Sequence, residues 1–418
     1  MSVDVALGHV DGAAITADTG AFVAVPSLTG SERTALEWLA QRAAELGLSV
    51  DLHAHDLTAL RRHPDHPGEE AAREELWGLS VTLPAPAGSS GDVPRLALCG
   101  HVDVVPEGSE PWRHGAWSGA IEDGYVWGRG TVDMKAGVIA ALHAMAALGA
   151  MADDDRPSVE VVLQAVGSEE DGGLGSFAAL ARDERFDACL IPEPTGFDVV
   201  CAQAGALTFE GVVHGVAAHA AHRLEGVSAI DRYLPIHAAL AAYETTVNAD
   251  VEHELMAALA LPYPLVVGRL AAGEWSSTVP DRLRFKGRAP VRVGEAPQAA
   301  RDAVAAAVIA AAGDAPVELS WPGGQFSSGQ TRSDDPFAAL VRASVSAELG
   351  RSARFAGVPW GADLRLWTAR GIPTVMVGPH GIERAHGVDE RVAVEDLEAV
   401  ARCVVRVAWA MGATGAGA

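Results

Sequence analysis

Seven residues in five short segments of this chain carry side chains that hold metals or move protons. They are His101 and Asp103 in GHVDVVP, Asp133 in WGRGTVDMKAG, Glu169 and Glu170 in SEEDGG, Glu193 in IPEP, and His386 in AHGVDE. Imidazole and carboxylate groups suit borderline divalent cations. A close pair of such cations needs a bridging carboxylate, further oxygen or nitrogen donors at each ion, and a position left for water. The five segments hold that inventory, and together they point to a two-metal hydrolytic site. An amide resists water because its nitrogen lone pair delocalises into the carbonyl. Its hydrolysis needs a strong nucleophile and a stabilised oxyanion, and paired metals can supply both. Zinc fits the donor mixture, with cobalt or manganese admissible on ligand type alone. Any one string is weak, since acidic pairs are mostly solvated and lone histidines mostly structural; the ordered set carries the reading.

Spacing refines two of the roles. Asp103 follows His101 by two residues, so in an extended segment both side chains share a face. Its carboxylate is then placed to accept the imidazole proton that faces away from the metal. Glu169 and Glu170 are adjacent, and in an irregular loop one can bind metal while the other faces the water.

These segments need a frame that brings them together. Ser31 to Leu46 has helical spacing and ends at Gly47 before the extended LSVDLHA. The alternation continues with VPRLALCG as strand, MKAGVIAALHAMAAL as helix, SVEVVLQAVG as strand, GSFAALARD as helix and DACLIPE as strand. Such a pattern predicts an α/β layer with a mostly parallel central sheet flanked by helices. Each metal segment then falls at or just after a strand's C-terminal end, where open α/β sheets place their ligands. From about Ala206 the texture changes to strands such as LTFEGVVHG, PLVVGRL and RLRFKGR, with helices from Val227 to about Tyr243 and across Gln298 to Ala312. That proportion predicts a small α+β unit. GGQFSSGQTRSDD, Gly323 to Asp335, reads as the linker out of it. A helix from Pro336, the strand PTVMV and a closing helix after Val394 complete the chain.

The ordered set resembles the metallo-amidohydrolases that include acetylornithine deacetylase, succinyl-diaminopimelate desuccinylase, aminoacylase and the glutamate-releasing carboxypeptidases. The resemblance spans nearly the whole chain. It implies a catalytic domain in two parts, 1–205 and 327–418, with an inserted lid and dimerisation domain at 206–326. It also implies that Asp133 bridges two divalent metals, with His101 and Glu193 completing one and Glu170 and His386 the other. Glu169 is left as the general base, taking a proton from water and passing it to the departing nitrogen. Arg365 in GADLRLW stands where relatives grip a substrate carboxylate, and a guanidinium fork suits that task. His219 in GVAAHAAH matches a lid histidine that reaches the active site of the other subunit in a homodimer.

The chain departs from the family pattern at SSTVPD, where Ser277 or Thr278 replaces an asparagine. It departs again at Phe285-Lys286-Gly287-Arg288, which lacks an aspartate, and at Gly378-Pro379-His380. None of these is a metal ligand; they bear on the substrate. A glutamate at the Glu193 position goes with deacylases and carboxypeptidases. The resemblance therefore implies an enzyme of amino-acid metabolism that cleaves an N-acyl amino acid, deacetylase- or desuccinylase-like. The alternatives are a carboxypeptidase-like peptide hydrolase or a deaminating hydrolase of aromatic amines on the same two metals.

Composition sets the outer bounds. The 418 residues, 49% hydrophobic, suffice for two cores. A net charge of −24, from 31 Lys and Arg against 55 Asp and Glu, disfavours nucleic acid or an anionic membrane as partner. The opening MSVDVALGHVDG lacks a basic region followed by an apolar run. With no long uninterrupted apolar stretch, the reading is a cytoplasmic enzyme. Cys99, Cys189, Cys201 and Cys403 are scattered without metal or redox spacing and read as buried thiols.

Overall fold

Runs of β-branched and leucine residues that are apolar on both faces belong inside a sheet covered on both sides. Three strands here have that character: Arg95–His101, Glu160–Val166 and Ala188–Ile191 are each buried along nearly their whole length. The computed structural model describes residues 2–89, 92–183 and 185–415. Among them the three strands form the centre of a nine-stranded sheet. Its order is Ser49–Ala54, Trp77–Leu83, Glu160–Val166, Arg95–His101, Ala188–Ile191, Thr374–Met376, Val199–Gln203 and Gly329–Gln330, with Phe355–Val358 beside Val199–Gln203. The central pairings are parallel; toward the two flanks antiparallel pairings enter, while Phe355–Val358 runs parallel to Val199–Gln203. The sequence reading passed over Trp77–Leu83, which separates Ser49–Ala54 from the parallel centre.

Helices cover this sheet. Ala136–Gly149 is apolar nearly all round because it is buried nearly all round, packed against Gly12–Val23 and Val394–Gly415. The four cysteines are free and buried in the same layers.

The chain leaves the large sheet after Gln203 and enters a second one at Gly205. Five antiparallel strands make it among the described residues. Val266–Ala272, Arg282–Val291, Gly205–His214 and Val317–Ser320 lie in that order, and Gln325–Phe326 also pairs with Gly205–His214. Helices Ala229–Val247 and Pro297–Ala312 cover one face, where Phe209, Tyr233, Ile236, Leu283, Phe285 and Val304 form a separate small core. The edge strand Val266–Ala272 is exposed at six of its seven positions, and Val266 and Leu270 are more than half exposed. A short three-stranded sheet, Ala120–Glu122, Tyr125–Trp127 and Arg391–Ala393, holds the turn that carries Asp133.

Candidate metal centre

The ends of the parallel strands deliver most of the candidate ligands. His101 is the last residue of its strand, Glu169 and Glu170 follow Glu160–Val166, and Glu193 follows Ala188–Ile191. Asp133 comes from the turn before helix Ala136–Gly149, and His386 from the loop after Thr374–Met376. The helix can approach the IPEP turn because residue 137 is glycine; a Cβ there would strike the Pro192 carbonyl. His386, with φ of 61°, and Ser168, with φ of 66°, adopt the left-handed region that non-glycine residues seldom enter. Such conformations cost about 1–3 kcal/mol and persist where the surroundings impose them.

Two ligand triads result, sharing Asp133: His101–Asp133–Glu193 and Asp133–Glu170–His386. Ligand atoms within each lie within 4.8 Å of one another. His101 Nε2 stands 2.9 Å from Asp133 Oδ1 and 3.7 Å from Glu193 Oε1. His386 Nε2 stands 3.4 Å from Asp133 Oδ2 and 3.2 Å from Glu170 Oε2. Each oxygen of Asp133 therefore serves a different triad, as a bridging carboxylate must. Tetrahedral donors at about 2.1 Å from a zinc-like ion lie about 3.4 Å apart, so the side chains fit a pair of divalent metals.

Electrostatics agree with the geometry. Burial pushes the Glu193 carboxyl up to about 8, reinforced by the charge of Asp133. Burial also drives Glu169 well above the usual carboxyl range, His101 opposing and Asp363, Glu193 and Glu170 adding to the rise. His386 is pushed up to about 10 by hydrogen bonds to Asp133 and Glu170. Burial lowers His101, yet Asp103 and Asp133 outweigh it and carry the imidazole well above its ordinary value. A pocket this crowded with buried acids calls for added positive charge, and bound dications change such local balances more than any side chain.

A surrounding set of residues fixes the ligands. His101 Nδ1 points at the Asp103 main-chain carbonyl at 2.9 Å, with the Asp103 carboxylate farther off at 3.6 Å. That carboxylate instead accepts the main-chain N–H groups of Glu169 at 3.1 Å and Glu170 at 3.2 Å, and the Thr29 hydroxyl. Asp103 thus aligns the two glutamates as well as standing beside the histidine.

Other contributors were not anticipated. Glu390, 1% exposed, accepts the N–H groups of Val132 and Asp133 and pairs with Arg129 at 2.7 Å. Arg129 also donates to the His386 and Gly387 carbonyls, so one buried ion pair joins the Asp133 turn to the His386 loop. Arg73 forks onto both oxygens of Asp171 at 3.0 Å and reaches Glu32 at 3.3 Å. WGRG, SEEDGG and AHGVDE contain Arg129, Asp171 and Glu390; nothing local in the sequence joins Arg129 to Glu390 or marks Arg73 and Glu32.

The triads open into a cavity of about 600 Å³, lined in part by Glu169, Arg288, Pro264, Val266, Phe326 and Trp360. Arg365 does not line it. It lies behind Phe326, 2% exposed, with its terminal nitrogens donating to the Ala362 and Gly172 carbonyls at 2.8 and 2.5 Å. The guanidinium on the wall is that of Arg288. His219 is also outside the cavity, exposed beside Thr278, with which it forms an isolated bridge.

Comparisons with known proteins agree with this architecture. The description "Peptidase family M20/M25/M40" matches residues 97–410. A succinyl-diaminopimelate desuccinylase of Methylorubrum populi is 28% identical over 404 residues, 93% of this chain and 95% of the relative. A Staphylococcus aureus tripeptidase superposes with a TM-score of 0.73 at 20% identity, covering 97% of this chain and all of that one. A dinuclear metal-binding peptidase of Bacillus subtilis does so with a TM-score of 0.65 at 16% identity, covering 95% and 97%.

Proposed function

Because the chain belongs to the peptidase family M20/M25/M40, a family of hydrolases, we propose that it is a two-metal deacylase cleaving the amide bond of N-acyl amino acids. One observation carries this reading: two ligand triads share Asp133 at the floor of a cavity that a buried carboxylate outside both triads also lines. Divalent metals, zinc by preference, would supply an acidified water and a polarised carbonyl there.

The chain's own groups do the rest. Glu169, buried at the cavity floor, takes the proton from the attacking water and returns it to the leaving nitrogen. Asp103 holds the Glu169 main chain so that this carboxylate keeps its aim. Arg288 receives the substrate's carboxylate; Arg365, its terminal donors held by main-chain carbonyls, supports the loop behind it.

His219 acts in the other subunit of a homodimer. Its Nδ1 accepts the Ala221 N–H at 3.1 Å, which leaves the proton on Nε2, the tautomer that can donate to an oxyanion. The exposed strand Val266–Ala272 is the edge through which the copies associate. Four buried free thiols suit a reducing cytoplasm.

The test is metal analysis of the purified protein joined to a hydrolysis screen of N-acyl amino acids. Turnover that disappears with chelator and returns with zinc, cobalt or manganese supports the reading; a protein that takes up no metal defeats it.

A further inference from the structure

The wall of the cavity that is not metal site is mainly carbon, and its positive charge comes from one residue. Beyond the ligands and Glu169, the lining includes Val105, Pro264, Val266, Phe326, Trp360 and Ile382. Among the described lining residues Arg288 is the one lysine or arginine. Three nearby cations are committed elsewhere. Lys286 pairs with Glu70 at 2.9 Å, while Arg288 stands farther from that carboxylate, at 3.9 Å. Arg365 has both terminal nitrogens on carbonyl oxygens. Lys135 turns away and donates to the Val25 and Phe22 carbonyls at 2.7 and 3.3 Å.

We propose, resting on the deacylase reading, that this cavity selects N-acyl amino acids bearing one carboxylate and an apolar acyl group, and rejects acyl groups ending in a second carboxylate. An amide placed over the triads leaves its acyl tail and its carboxylate to share the remaining wall. The carboxylate takes Arg288, whose guanidinium lies over the Phe326 ring at 5.3 Å. The acyl tail meets carbon. A second carboxylate would be buried against that carbon, with no second lysine or arginine on the described lining to receive it.

The desuccinylase relatives are named for a substrate with carboxylates at the acyl end and at both ends of its amino acid. The selectivity inferred here sets this chain apart from them. It also gives the departure at Lys286 a physical content: that cation serves Glu70 and not the substrate.

The experiment compares kcat/KM for N-pentanoyl-methionine and N-succinyl-methionine on the full metal-loaded chain. The two acyl groups have similar length and differ in their ends, an ethyl against a carboxylate. The pentanoyl compound should be favoured by about 100-fold or more, a difference of two factors of ten in transition-state binding. Equal or better use of the succinyl compound, or of N-succinyl-diaminopimelate, overturns the inference while leaving the deacylase reading standing. Cleavage of no N-acyl amino acid by a metal-loaded protein overturns both.

A variant locates the effect. Arg288→Ala should raise KM for N-pentanoyl-methionine at least about tenfold, and Arg288→Lys should recover part of the loss. N-pentanoyl-methioninamide, which lacks the carboxylate, should show no such change. A KM for the carboxylate substrate unmoved by Arg288→Ala places the anion elsewhere and also overturns the inference.

Discussion

Glu169 and Glu170 share a loop and a side-chain type, yet the fold gives them different surroundings. Glu170 lies 3.2 Å from His386 and belongs to a ligand triad; Glu169 belongs to neither. Glu169→Gln should therefore keep near-normal metal content, measured by atomic absorption, while kcat falls about 10²–10⁴-fold. A variant turning over at close to the normal rate would remove the proposed base. Asp133→Ala should lose metal as well as activity, since both triads pass through that carboxylate. Glu390 makes the complementary case. Its charge is buried against Arg129 and it fixes the Asp133 main chain, so Glu390→Gln should weaken metal binding about 10–100-fold with the fold intact. Titration with zinc, beside a circular dichroism spectrum, would decide it. The five residues that the fold gathers into two triads could be singled out in the sequence because a metal centre would restrict residue type and the strings stand in a fixed order. Glu390 was printed in one of those strings and still escaped notice. Its partners Val132 and Arg129 lie 258 and 261 residues away, and no local pattern encodes such a meeting.

At the scale of elements, the alternating strands and helices declared themselves through apolar runs, whereas the segment between Ser49–Ala54 and Trp77–Leu83 did not. Its residues RRHPDHPGEEAARE have no apolar period, so the sequence offered neither helix nor strand. The fold uses it as a strap. The Pro67 carbonyl accepts the Gln325 N–H at 2.9 Å, the Glu70 and Ala71 N–H groups bond Asp171, and Glu70 pairs with Lys286 on a second-sheet strand. Two of this strap's ion-paired residues, Arg73 and Glu70, should behave differently. Arg73 has a side chain 0% exposed between Asp171 and Glu32, so Arg73→Ala strands buried carboxylates and should cost about 3–5 kcal/mol. The Glu70 and Lys286 side chains are 30% and 31% exposed, so Glu70→Gln should change stability by less than about 1 kcal/mol. Urea denaturation of both variants tests the contrast. A small loss at Arg73 would mean that the Asp171 loop holds its shape without it.

For the whole molecule, the question is whether one copy contains a complete site. The cavity collects its ligands, Glu169 and Arg288 from one chain, while His219 stands exposed beyond it and Leu224, Leu270 and Trp275 of the same unit are 94%, 57% and 73% exposed. Apolar surface of that extent around an unpaired sheet edge is what a second copy would cover. If the partner's strand pairs at Val266–Ala272, the twofold relation makes each copy both donor and recipient. His219→Ala should then lower kcat without changing metal content. Mixing it with Glu169→Gln supplies the decisive arithmetic. Random exchange makes half the dimers mixed, and each mixed dimer holds one site with both defects and one with neither. Activity should therefore return to about one quarter of the normal value from two nearly inactive proteins. Exchange proven by mass spectrometry without such recovery would show that His219 serves its own chain or no catalytic step at all. The dimer edge and the histidine would then have to be explained separately.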